Sequence, residues 1–299
     1  MTHLLLERGV RRKLPDLRHG TTQKVTIEHP DNKLYIRTGL YEDGDLGEIF
    51  LDMNKQGALL QAFTHSFAKV VSIDLQYGAP LDLFVDHFAG YSFKPSGPVN
   101  GHNRIRETSS PLDATFRHLG IIHLGRMDLV NPVGERKLED DAGPRSVALQ
   151  LLKPFSNKRG ERKRLPDRRA CGRQKLSIAG QKFYLETGHY GDRTTDPLGE
   201  IFITMHKEGD DLRAMMNAFG IAVSFGLQYG VPLDEFVDAF AGARFEPAGK
   251  VEGHDQILYA QSYFDCVFRI LGLAFLEGRG DLASPAAPEE PAAAGNEPH

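Results

Sequence analysis

Cysteine is scarce in this chain: Cys171 and Cys266 are the two it has, too few for a disulfide framework and compatible with a reducing compartment. Long apolar runs are missing as well. None approaches the ~20 residues that a membrane span needs, and the opening Met1-Thr2-His3-Leu4-Leu5-Leu6 meets a charge after three leucines, well short of a signal-peptide core. The expected location is therefore cytoplasmic, with no membrane partner. Neither sign of charge dominates: 36 Lys and Arg stand against 40 Asp and Glu, for a net charge of −4. That balance argues against a chain built mainly to hold nucleic acid. No GK[ST] follows a glycine-rich loop, and no dinucleotide fingerprint occurs. His65, His87, His102, His189, His206 and His254 form neither HExxH nor a Cys/His ligand spacing, so no metal site is expected.

What the chain does contain is itself, twice. Residues 47–97 align without a gap on residues 199–249, and 28 of the 51 positions are identical. GEIFLDMNKQG returns as GEIFITMHKEG, and LQYGAPLDLFVDHFAG returns as LQYGVPLDEFVDAFAG. A period near 150 residues is too long for a solenoid unit, so each copy is expected to be a domain with its own core. The expected domains are 11–124 and 162–277, with a linker at 125–161 and a disordered Pro, Ala and Glu tail at 278–299. One short ordered piece is expected in the linker, at 147–152.

Within each copy the period changes once. Val25 and Ile27, then Leu34 and Ile36, then Ile49, Leu51 and Met53 alternate, which predicts three half-buried strands in an antiparallel meander. After Gly57 the step becomes three and four: Leu60, Phe63, Phe67, Val71 and Leu75, repeated as Leu212, Met215, Phe219, Val223 and Leu227. Gly78 and Gly230 suit a left-handed helix end, and Pro80 and Pro232 suit the start of a second helix. Ser110-Pro111 suits the start of a third. The prediction is an α+β fold of two homologous βββααα domains, with residues 93–103 as loop.

The candidate sites are surface features. Arg11-Arg12-Lys13 and Arg162-Lys163-Arg164 precede the first strand of each copy, and a pseudo-twofold arrangement would bring both basic turns to one surface. Such a surface suits nucleotide phosphates, nucleic acid or an acidic protein face. Between Lys153 and Lys175 lie ten Lys and Arg, with Phe155 as the sole aromatic among them, so base stacking is poorly supported. The loops Pro95-Ser96-Gly97 and Gly101-His102, with Pro247-Ala248-Gly249 and Gly253-His254, carry glycines that could bring amides to a phosphate, although turn structure alone explains them. Asp82 and Asp86, and Asp234 and Asp238, sit four apart on helix two, as an acid pair or as its wet side. Glu48 and Glu200 follow a glycine into strand three, and the sequence assigns them no role. Cys171 falls in a basic loop and Cys266 in helix three. Both are read as structural or incidental.

The runs RRKLPD, TGLYEDGDLGEIF, LQYGVPLDEFVDAFAGARFEPAG and SYFDCVFRILGLAFL resemble the TSCPD domain, the C-terminal domain of adenosylcobalamin-dependent (class II) ribonucleotide reductases. The resemblance covers about residues 11–122 and 162–276. A reductase of that family needs a catalytic barrel, a thiyl-forming cysteine and a redox cysteine pair; the sequence has no CxxC, and the cysteine motif that names the family is absent. The resemblance thus implies a non-catalytic accessory or regulatory protein linked to deoxyribonucleotide synthesis, without the family's adenosylcobalamin. Its partners would be a separate reductase catalytic chain or nucleotides. Two alternatives stand beside it: a detached subunit of a ribonucleoside-diphosphate reductase, and an independent nucleic-acid-binding protein.

Overall fold

The computed structural model describes residues 8–54, 57–131, 160–192, 197–205 and 209–283. The ordered piece expected at 147–152, most of the linker and the tail beyond 283 lie outside these residues.

The first copy runs β1 (Thr22–Ile27), β2 (Lys33–Leu40), β3 (Leu46–Asn54), α1 (Ala58–Gln76), α2 (Leu81–Phe88), β4 (Gly97–Asn100), β5 (Glu107–Thr108) and α3 (Pro111–His123). The second runs β6 (Cys171–Ile178), β7 (Gln181–His189), β8 (Leu198–Met205), α4 (Asp210–Tyr229), α5 (Leu233–Phe240), β9 (Gly249–Glu252), β10 (Tyr259–Ala260) and α6 (Tyr263–Phe275). The architecture is α+β, with two similar domains. Each meander is extended by two short strands, giving five-stranded antiparallel sheets in the orders β3-β2-β1-β4-β5 and β10-β9-β6-β7-β8. Strands of two and four residues, next to Gly and Pro, are too short to show alternation, which is why the added pair reads as loop.

The alternation sets the sheet faces. Leu34 pairs with Met53 and Val25, and Ile36 with Leu51; all five are buried, while Phe50 points outward and is 41% exposed. The helical stripe covers this face, with Phe63, Phe67 and Val71 fully buried. Gly78 and Gly230 follow α1 and α4 at φ 90° and 93°, a left-handed conformation that disfavours a side chain. At α3 and α6 the hydroxyls of Ser110 and Ser262 accept from the amides of Asp113 and Asp265, both at 3.0 Å, which satisfies a free helix donor.

The cores of the two copies are not separate. One apolar cluster spans both, because α1 and α4 pack on each other as well as on their sheets. Phe84 meets Phe225 across the copies at 5.8 Å between ring centroids, and His87 meets the same ring at 5.4 Å. At the crossing, Asp74 lies against the Cα of Gly226, its own counterpart in the repeat, so an approximate twofold axis passes beside this pair. The second copy also continues past residue 277: Leu282 is buried and packs over Gly272, just as Leu129 packs over Gly120 in the first copy.

Candidate partner surface and the clefts between the copies

Both basic turns lie along the C-terminal ends of the long helices. The amide of Arg12 donates to the Gln76 carbonyl and that of Lys163 to the Gln228 carbonyl, at 2.8 and 2.9 Å. Leu14 and Leu165 lie over Gly47 and Gly199, in space that a Cβ would need. The approximate twofold brings the turns together: Arg8 donates to the Glu161 and Gln228 carbonyls, and the Gly160 amide donates to the Gly78 carbonyl.

Most of the cations in the turns are already engaged within the chain. Arg11 bonds Gln76 at 2.8 Å and reaches across to Glu235 of the other copy at 2.8 Å. Arg12 spans Asp43 and Asp45 and lies 3.6 Å from the centre of the Tyr41 ring, whose hydroxyl donates back to the Arg12 carbonyl. Burial pushes the Tyr41 phenol up to about 12, although Arg12 and Arg11 pull the other way. Arg162 bonds Gln228 and lies over the Phe225 ring, and Lys163 lies over Tyr190. Lys13 and Arg164 are exposed and stand free among the described residues, so they are the cations of the six that a partner could take without breaking an internal contact. The expectation of six solvent-facing charges is corrected accordingly: a run of Lys and Arg beside a turn gives no sign that partners about 30 to more than 200 residues later will claim most of it.

The same lesson gives Glu48 and Glu200 their role. Each is buried and paired with an arginine that ends the basic turn, Arg18 or Arg169, whose guanidinium also reaches carbonyls of its own turn. Gly39 and Gly188 sit where the strand register shifts, and a Cβ on either would collide with the carboxylate. A second clasp was readable but unread: Ser110, Asp113 and Arg117 repeat as Ser262, Asp265 and Arg269. Asp113 accepts from the Gly90 and Ser109 amides, the Thr108 hydroxyl and Arg117 Nε. Asp265 accepts from the Gly242 and Gln261 amides and from Arg269.

Other candidates resolve into structure. Asp86 pairs with Arg126 and Asp238 with Arg279, and the Asp234 carboxylate accepts from the Glu235 amide. His102 Nδ1 accepts the Arg104 and Ile105 amides, as His254 Nδ1 accepts those of Gln256 and Ile257. These amides are thereby closed to a phosphate. The loops at Pro95 and Pro247 each carry a cis peptide bond. Cys171 opens strand β6, exposed, rather than lying in a loop, whereas Cys266 is buried in α6 and burial pushes its thiol up to about 12. No group of three or more His, Cys, Asp or Glu among the described residues could hold a metal ion, and no helix among them is long and apolar enough to cross a membrane.

The twofold also makes two clefts, where the outer face of each long helix meets the loop after the other copy's second short helix. Beside α4, Tyr91 fills the cleft: its hydroxyl donates to the Ala214 carbonyl and accepts from Asn217 Nδ2, both at 3.0 Å, and the Lys94 amide donates to Asp211 at 2.8 Å. Beside α1, Tyr91 is replaced by Ala243, and a cavity of about 590 Å³ remains, lined by His65, Lys69, Phe240 and Arg244 among others.

The TSCPD domain matches the chain twice, over residues 9–122 and 157–275. The chain belongs to this family. Curated proteins that resemble it include the vitamin B12-dependent ribonucleotide reductases of Bradyrhizobium diazoefficiens, 58% identical over 123 residues, and of Agrobacterium fabrum, 56% identical over 123 residues. Each alignment covers 41% of the present chain and 10% or 9% of the relative. The enzyme of Streptantibioticus cattleyicolor is 47% identical over 115 residues, 38% of this chain and 18% of that protein. The chain thus spans less than a fifth of the length of these relatives, a single TSCPD-sized segment. No solved structure matches it.

Proposed function

We propose that this protein is a non-catalytic accessory or regulatory partner in vitamin B12-dependent ribonucleotide reduction, binding a separate reductase chain through the surface that carries the paired basic turns. The observation that supports this most is the likeness of a TSCPD segment, at 58% identity, to one small part of a reductase, here in a chain whose residues match that domain twice. The chemistry of the two cysteines agrees. A thiol held near 12 is protonated at neutral pH and a poor nucleophile, so Cys266 is not suited to thiol–disulfide exchange.

The test is an assay of a B12-dependent reductase from the same host with and without this chain. The expected result is co-purification, a change in reductase turnover, and no ribonucleotide reduction by the chain alone with adenosylcobalamin and a dithiol. Alanine at Lys13 and Arg164 together should weaken co-purification several-fold at low salt and by less as salt rises, while leaving stability within about 0.5 kcal/mol. Turnover by the chain alone overturns the proposal. Rescue of a reductase stripped of its own TSCPD segment would instead favour the detached-subunit reading.

A further inference from the structure

The geometry points to the open cleft beside α1 as a binding site for a small organic phosphomonoester. Its outer wall is one stripe of α1, on which His65 and Lys69 lie one turn apart. The facing wall is the end of α5 and the loop after it, with Ala239, Phe240, Ala243 and Arg244. Lys69 Nζ is fixed in place by the Ala239 carbonyl at 2.9 Å, which leaves two of its three protons for a ligand. His65 and Arg244 are exposed at the same opening. The acid in the lining, Asp52, is compensated by Arg37 at 2.9 Å. Lys69 and His65 on one wall, with Arg244 beside the apolar patch of Ala239, Phe240 and Ala243 on the other, match a phosphate joined to an organic body, and the volume falls within the range of small-molecule pockets.

The companion cleft is an internal control, since the same backbone was given different side chains. His65, Lys69 and Arg244 correspond to Asn217, Ile221 and Ser92, and Ala243 corresponds to Tyr91. Loss of the tyrosine opens the space, and the same divergence puts Lys69 and Arg244 on its two walls and His65 at its mouth, while Gln61 and Asp52 in the lining stand where the companion has Arg213 and Thr204. This inference is independent of the reductase proposal, for it concerns a small ligand and names no protein partner.

Titration calorimetry on the full chain with inorganic phosphate, ribose 5-phosphate and AMP tests it. The expected result is saturable binding of an organic phosphate at sub-millimolar Kd, tighter than inorganic phosphate by tenfold or more. Lys69→Ile with Arg244→Ser, which copies the other cleft, should weaken it at least tenfold. Ala243→Tyr, which transplants the plug, should abolish it. Tyr91→Ala, which opens the cleft without the cations, should add no second site. Thermal melts show which variants are folded, and if either of the first two variants fails to fold, the other carries the test. Absence of saturable binding by all three probes, binding of inorganic phosphate as tight as the esters, or binding that survives the folded cleft variants overturns the inference.

Discussion

The two copies share a backbone and differ in what they bury. Both keep the Arg-Glu pair under the basic turn and the Ser-Asp-Arg clasp at the third helix, so these contacts belong to the fold. The first copy, however, seals in ionisable groups where the second has apolar or no side chains: Asp74 against Gly226, His118 against Ile270 and His123 against Phe275. His102 Nδ1 accepts two amides, so its proton is on Nε2, which faces His118 Nδ1 at 3.1 Å. The His118 proton then sits on a buried Nε2 that has no hydrogen-bond partner. Burial holds His102 and His123 down to about 4 and His118 down to about 3. Duplication thus left the first half with a buried aspartate and a histidine cluster that the second lacks, while the second buries His189 where the first has Leu40.

The largest effect should come from separating the halves. Residues 8–131 and 160–283 expressed alone each expose the surface around Phe84 or Phe225, and each should aggregate or self-associate. Co-expression should restore a soluble one-to-one pair by size exclusion with light scattering; two soluble monomers would show that the shared core is dispensable. Next, Asp113→Ala and Asp265→Ala each leave a half-buried arginine without its carboxylate and several amides unpaired, and should cost about 2–4 kcal/mol in urea unfolding. Equal losses are expected in the two copies, and a large difference would show that the clasp is not common property of the fold.

Acid should separate the copies more selectively. A histidine that titrates near 6.5 when unfolded and about 3 in place at 118 makes no demand above pH 7, and its stability is lost as pH falls from about 6.5 toward 3. His118→Ile, the residue of the second copy, should therefore remove about 3 kcal/mol of the stability lost between pH 7 and pH 4, measured by urea unfolding at both pH values. Asp74 acts in the opposite direction. Burial without a partner raises its pKa well above the usual carboxylate range, so its cost is absent below pH 4 and grows as pH rises. Asp74→Ala should stabilise the protein by about 1–3 kcal/mol at pH 8 and by little at pH 4, and a gain independent of pH would sink this assignment.

The meander, the long helices and the caps were legible because each repeats a local signal of period two, period 3.6 or cap chemistry within a few residues. The sheet edges were not, since Gly97–Asn100 and Tyr259–Ala260 are too brief to show a period. Glu48 and Glu200 could not be given partners, because Arg18 and Arg169 reach them across about 30 residues of intervening strand. The Ser-Asp-Arg clasp could have been read, being a cap followed by an i,i+4 pair written twice. The open cleft depends on how one copy meets the other. Its sequence trace is Tyr91 against Ala243, one of three differences, with Ser92 against Arg244 and Lys94 against Glu246, in the repeated stretch from FAG to the proline.

The pairing of Asp74 with Gly226 bears on how the molecule arose. Two first halves assembled about the same axis would set carboxylate against carboxylate, and two second halves would leave a hole there. Neither half is therefore matched to a copy of itself at this crossing. A lineage in this state would need a further change at position 74 or 226 to return to a well-matched symmetric dimer by discarding either half of the gene, so at this crossing the halves have become different lock parts.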